Sequence, residues 1–123
     1  DLATLVTKAS AEEAEKSQVV KAVVSWKDHG FGDALYFSRA SIPTGTNGKY
    51  HHIGVYGWHR HALSRFVTLP PSPLELAEKL EQLRALEAGM RIAVAEIDGA
   101  PGGVDTAEDL QAVRKRLATG QLG

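Results

Sequence analysis

The chain has 123 residues, 43% of them hydrophobic and 24% charged, and a formal net charge of −1. That is the length of one ordinary domain with enough apolar content for a core, and it fits neither a disordered nor a membrane-spanning class. The 14 basic and 15 acidic residues are spread along the chain, which argues against a nucleic-acid partner, and the absence of cysteine excludes disulfide scaffolds, thiolate metal sites and a cysteine nucleophile.

In chain order, the sequence opens at Asp1 without methionine and runs straight into a strand-like segment, Leu2 to Thr7, the pattern expected of a piece of a longer protein. No charged-then-apolar leader is legible, and a cysteine-free composition fits a reducing compartment, so a cytoplasmic location is expected. Ser10 and Glu13 form a capping box that opens a short acidic helix or turn over Ala11 to Lys16. Val19 to Trp26 is a second strand, Asp28 to Gly32 a turn and Ala34 to Arg39 a third strand, together suggesting a hairpin. Ile42 to Lys49 contains Pro43, Gly45, Asn47 and Gly48 and reads as a loop.

His52 to Trp58 is a fourth strand, followed by a short helix over His61 to Val67. Ser72, Pro73 and Glu75 supply N-cap, first helical position and closing acid for a helix that Gly89 ends, with Leu76, Leu80, Leu83 and Ala77 on its buried stripe. Arg91 to Ile97 is a fifth strand. A last helix over Thr106 to Leu117 buries Ala107, Leu110, Val113 and Leu117 and ends on the one basic cluster, Arg114 to Arg116, where cations complement the helix dipole. Strands and helices in this mixed order predict an α/β domain with helices packed on a mixed sheet.

Four stretches carry candidate chemistry. Strand periodicity puts His52, Gly54, Tyr56 and Trp58 on one face and Ile53 and Val55 on the core face. Gly54 either leaves space for a ligand between His52 and Tyr56 or marks a bulge beside a satisfied histidine. His52, His59 and His61 admit a zinc reading, though no HExxH or cysteine pattern supports it. Glu81 and Gln82, an acid and an amide at the edge of the Leu80 and Leu83 stripe, either bind sugar hydroxyls or form a solvated helix face. Within Gly102 to Asp109, Asp105 is either the helix cap or, if Thr106 caps, a carboxylate free to bind a hard cation.

Four segments recur together in the CMP-Kdo synthetases, cytidylyltransferases within the nucleotide-sugar transferase group, and the chain resembles the C-terminal half of that family. They are Ala34 to Pro43 (ALYFSRASIP), His52 to Tyr56 (HIGVY), Pro71 to Arg84 (PSPLE through LEQLR) and Gly103 to Leu110 (GVDT to DL). The resemblance implies the C-terminal half of a Rossmann-like nucleotide-sugar transferase fold, a mixed sheet with flanking helices. It implies that His52, Tyr56, Glu81 and Gln82 bind the acid sugar Kdo, that Arg39 meets a carboxylate or serves a homodimer contact, and that Asp105 is a catalytic ligand of Mg²⁺. It implies transfer of CMP from CTP to Kdo with release of pyrophosphate. The nucleotide-binding half of such an enzyme is not in this sequence, so the chain is expected to be inactive alone. His51 stands where the family commonly has Arg, Ala107 replaces a frequent Pro, and the loop from Thr44 to Lys49 is short. The competing class is a non-catalytic α/β binding or dimerisation module.

Overall fold

The computed structural model describes residues 1–45 and 47–98. Its elements are β1 (Leu2–Lys8), α1 (Ala11–Ala14), β2 (Lys21–Asp28), β3 (Phe31–Ser38), β4 (Tyr50–Trp58), α2 (Arg60–Phe66), α3 (Pro73–Glu78), α4 (Gln82–Glu87) and β5 (Ile92–Glu96). All five expected strands are present. The expected helix over Thr106 to Leu117 and Asp105 lie outside the described residues.

The sheet is mixed and curls until it closes, in the order β1-β4-β2-β3-β5 with β5 returning to β1. β1 and β5 run parallel, from Leu2 opposite Ile92 to Val6 opposite Glu96, and every other pairing is antiparallel. The weakest seam is β2 to β4, which pairs only Lys21 with His51 and Ala22 with Tyr50. Closure on this scale was not legible in the sequence, because strand order and curvature depend on long-range pairing.

β2 and β3 form the expected hairpin, with Asp28 opposite Phe31 and Gly30 at a φ of 78° in the two-residue turn. Gly32 is needed for a different reason. A Cβ there would stand 2.5 Å from the Ser25 carbonyl oxygen and 2.9 Å from the Trp26 Cα, both backbone atoms that cannot yield cheaply.

One face of the sheet and the helices enclose the main core, including Leu2, Val6, Phe37, Phe66, Leu80, Leu83, Met90 and Ile92. A smaller cluster of Leu5, Ile53, Ala95 and Ile97 lies apart from it, with Val55 packed alongside. Lys21 is fully buried, and its ammonium donates at 2.6 Å to each of three carbonyls, those of Lys16, Val19 and Arg39. Three donors meet three acceptors, which is how a buried cation escapes an uncompensated desolvation cost. Burial still pushes its pKa down.

The single helix expected between Ser72 and Gly89 is two helices. Lys79 takes φ 60°, ψ 45°, a left-handed residue that ends α3, and α4 starts afresh at Gln82. Glu78 is held at this point by β3: Tyr36 Oη donates to one carboxylate oxygen at 2.8 Å and Ser38 Oγ to the other at 2.7 Å. The break divides the expected stripe. Leu80 and Leu83 are buried, whereas Ala77 is exposed and Leu76 is 64% exposed, so those two assignments are corrected. Capping follows the sequence at both predicted starts. Ser10 and Glu13 exchange bonds of 3.0 and 3.1 Å, and Glu75 accepts the Ser72 backbone N–H at 3.0 Å.

Candidate functional site

β4 carries its aromatic residues toward α2 and α4, and an irregularity in the strand does not alter this. Opposite β1, Thr4 pairs with Tyr56 but Leu5 pairs with Ile53, leaving Gly54 and Val55 outside the ladder. Two extra residues preserve the facing of the strand, so His52, Tyr56 and Trp58 share one side, as the period of two predicts. Gly54 is exposed, and a Cβ there would meet nothing within 4 Å. The glycine therefore marks a bulge, and no neighbouring backbone requires it.

His52 is 8% exposed, packed edge-on against Phe37 at 4.8 Å between ring centroids and against Tyr56 at 5.5 Å. Its Nε2 is 2.9 Å from Thr4 Oγ1, which is also 2.9 Å from the Val55 carbonyl oxygen and 3.2 Å from that of Ile53. The threonine hydroxyl has one proton, and the carbonyls can only accept it, so Thr4 donates to them and accepts from His52. This sets the Nε2–H tautomer. Burial, and next the neighbouring His51, push the His52 pKa down to about 4, so the ring is neutral at pH 7. His51 points elsewhere, its Nδ1 lying 3.5 Å from the Glu13 carboxylate.

The aromatic row continues from Tyr56 to Trp58 at 6.4 Å and from Trp58 to Phe66 of α2 at 4.9 Å. Beyond it opens a cleft of about 340 Å³ lined by Tyr56, Trp58, Leu63, Phe66, Val67, Glu81 and Gln82. Burial, then the charge of Glu81, raise the Tyr56 pKa, so the phenol keeps its proton and can donate. Glu81 and Gln82 enter at the start of α4, where the left-handed turn at Lys79 has redirected the chain. The cleft offers a hydroxyl, a carboxylate and an amide on one side and an apolar wall on the other.

Of the residues expected to bind substrate, Tyr56, Glu81 and Gln82 meet in this cleft. His52 stands behind Tyr56 and does not line it. Arg39 lies beyond the end of β3, exposed, its guanidinium 3.5 Å from the Ser17 carbonyl and its own carbonyl held by Lys21. Asp105 is outside the described residues. The wall of Leu63, Phe66 and Val67 was missed by sequence reasoning. In the structure Leu63 of α2 and Val67 at its C-terminal cap are 42% and 67% exposed, an apolar surface beside the cleft.

The zinc reading finds no support. The His59 and His61 rings stack at 5.5 Å, His52 is bonded to Thr4, and among the described residues no group of three or more His, Cys, Asp or Glu could hold a metal. Among the described residues no helix is long and apolar enough to cross a membrane.

The Cytidylyltransferase family profile matches residues 1–92. The 3-deoxy-manno-octulosonate cytidylyltransferase of Parvibaculum lavamentivorans is 56% identical over 119 residues, 96% of this chain and 46% of the relative. That of Rhodopseudomonas palustris is 56% identical over 118 residues, 95% of this chain and 48% of the relative. Among solved structures, a CMP:2-keto-3-deoxy-manno-octonic acid synthetase complexed with CTP matches with a TM-score of 0.74 and 40% identity, over 97% of this chain and 49% of its own. A UDP-glucose pyrophosphorylase complexed with UDP-glucose matches with a TM-score of 0.52 at 16% identity, over 94% of this chain and 44% of its own, a likeness of fold alone. The chain thus spans about half the length of the relatives it matches. With a mixed sheet, flanking helices and this profile across most of its length, the chain belongs to the cytidylyltransferase family, in the branch of the 3-deoxy-manno-octulosonate cytidylyltransferases.

Proposed function

We propose that this chain supplies the acid-sugar side of the active site of a CMP-Kdo synthetase, which transfers CMP from CTP to Kdo with release of pyrophosphate. The observation that carries the reading is the convergence of Tyr56, Glu81 and Gln82, from two separate segments, on one cleft. Its volume of about 340 Å³ lies within the roughly 300–1,000 Å³ of small-molecule sites.

Each side chain has a chemical task. Glu81 accepts from sugar hydroxyls, Gln82 both donates and accepts, and the Tyr56 phenol donates to a sugar oxygen. Trp58 and Phe66 offer flat apolar surface to the C–H face of the ring. His52, locked by Thr4, holds Tyr56 in place and touches no ligand. Among the described residues no Lys or Arg lines the cleft and Glu81 would repel an anion, which favours a pose with the sugar's own carboxylate pointing out of it.

In the proposed reaction, the anomeric hydroxyl of Kdo attacks the α-phosphorus of CTP and gives up its proton to solvent, and pyrophosphate leaves with the electron pair of the broken P–O bond. The contribution of these residues is alignment, which governs a transfer of this kind. Mg²⁺ held by Asp105 belongs to the same proposal and would neutralise charge on the phosphate when bound. Among the cleft's lining residues Glu81 is the only carboxylate, so the described residues do not form that site. Without the nucleotide side the chain is proposed to be inactive alone and, in the complete enzyme, cytoplasmic and homodimeric. Among the described residues β2 beyond Ala22 is bonded only to β3, an edge on which a second copy could pair.

Titrating Kdo and CTP separately into the chain, followed by amide NMR, tests the reading. Kdo is expected to bind weakly, near about 1 mM, or about −4 kcal/mol. Its shifts should centre on Tyr56, Glu81 and Gln82, weaken in Tyr56→Phe and Gln82→Ala, and be absent with CTP. Shifts from Kdo that avoid those residues, or none at all, would overturn it. The same outcome would favour the non-catalytic binding module.

A further inference from the structure

The cleft has two sides that belong to different elements: Phe66 on α2 and Glu81 and Gln82 at the start of α4. One residue of α4 reaches across to the other side. The Arg84 guanidinium lies over the Phe66 ring at 4.9 Å, from the helix whose first turn presents Glu81 and Gln82. Its fork is closed by Glu75 of α3, with Nε to Oε1 at 2.8 Å and Nη2 to Oε2 at 2.6 Å. The two side chains are 16% and 12% exposed, and the same Glu75 oxygen Oε1 accepts the Ser72 backbone N–H. A guanidinium with both prongs of one edge occupied and its face on a ring has few rotamers left. It therefore fixes α4 against α2 and α3 together.

We propose that Arg84, clamped by Glu75, is a positioning residue that sets the spacing across the cleft between the Glu81–Gln82 pair and the aromatic wall. It rests on the sugar-cleft reading for its functional meaning, while its structural content stands apart from that reading. Arg84 is not among the residues that line the cleft. It acts through Phe66 and through the first turn of its own helix. The Asp33–Arg91 pair is an internal control, because it is also two-pronged, at 2.7 and 3.1 Å, and neither partner borders the cleft.

The test combines sugar affinity with a reporter in the wall. The chain has two tryptophans, and fluorinated tryptophan gives each a fluorine NMR signal. Trp58 lines the cleft, whereas Trp26 packs on Tyr50 at 5.1 Å and serves as reference. Arg84→Met should weaken Kdo binding about tenfold and move the Trp58 signal while the Trp26 signal stays. Arg84→Lys keeps the charge but lacks the fork, so it should recover part of the affinity, and Arg91→Met should leave affinity within about twofold. If Arg84→Met fails to fold, Glu75→Gln, which keeps an acceptor for Ser72, is expected to give the same changes at smaller amplitude. Unaltered affinity with an unmoved Trp58 signal would overturn the proposal, as would an equal loss in Arg91→Met. Failure of the unsubstituted chain to bind Kdo would overturn the sugar reading instead. The Trp58 signal would then decide the positioning role alone, a shift supporting it and no shift overturning it.

Discussion

His52 makes the structure testable through acid. Its folded pKa of about 4 lies below the ordinary value of 6.5, and the first cause is burial. Between those values the unfolded chain binds a proton at this position and the folded chain does not. Stability from this group is therefore complete above about pH 6.5, falls as the pH drops, and is fully lost near pH 4. The whole loss is about 3 kcal/mol, of which about 2 kcal/mol falls between pH 7 and pH 5. The carboxylates of Glu13, Asp33 and Glu75 are held below their usual range by hydrogen bonds, and their contributions disappear at lower pH still, outside that window. Urea unfolding at pH 7 and pH 5, on the chain and on His52→Gln, isolates the effect by double difference. The substitution should lower stability at pH 7 and flatten the dependence by about 2 kcal/mol. An equal decrease in both proteins would refute the buried, neutral histidine, and so would an NMR titration of the ring with a midpoint near the ordinary value.

Three further outcomes follow from the packing. Lys21→Met should destabilise the chain by about 3 kcal/mol in urea, because it strips the carbonyls of Lys16, Val19 and Arg39 of their shared donor; a loss below about 1 kcal/mol would contradict it. Gly32→Ala should cost about 2 kcal/mol or more because its Cβ meets backbone, whereas Gly54→Ala should be neutral within about 0.5 kcal/mol, and a reversed order in thermal melts would refute the contrast. Lys79→Gly should raise stability by about 1 kcal/mol, since the left-handed conformation at φ 60° suits glycine, and a decrease would show that the lysine side chain matters more than its backbone.

Local signals were legible and long-range ones were not. The β2–β3 hairpin could be read from β-branched runs around a glycine turn, and the starts of α1 and α3 from Ser10 with Glu13 and Ser72 with Glu75. The period of two put His52, Tyr56 and Trp58 on one face, and the two-residue bulge left that facing intact. The break at Lys79 had no local signal, because a lysine in a leucine-rich helical pattern gives no warning of a left-handed turn. It becomes intelligible only with Tyr36 and Ser38, 42 and 40 residues away from Glu78, holding that carboxylate. Lys21 was hidden for the same reason: a buried ammonium requires carbonyls gathered from three places, which no periodicity encodes.

The break at Lys79 also explains why the cleft exists. On one straight helix, residues at the edge of the Leu76, Leu80 and Leu83 stripe would face sideways along its length, and Glu81 with Gln82 would read as a solvated pair. By ending α3 where β3 grips Glu78, the chain lets Leu80 and Leu83 turn into the core and brings Glu81 and Gln82 to the start of a new helix, where they line the same cleft as Tyr56. A left-handed lysine costs about 1 kcal/mol, and such strain persists only where surrounding contacts over-determine it. Here those contacts are Glu78 with two hydroxyls on one side of the break and Arg84 with Glu75 across it. The polar half of the cleft is thus a product of the bend. Its apolar half, on α2, was in place regardless, and neither half would make the cleft without the other.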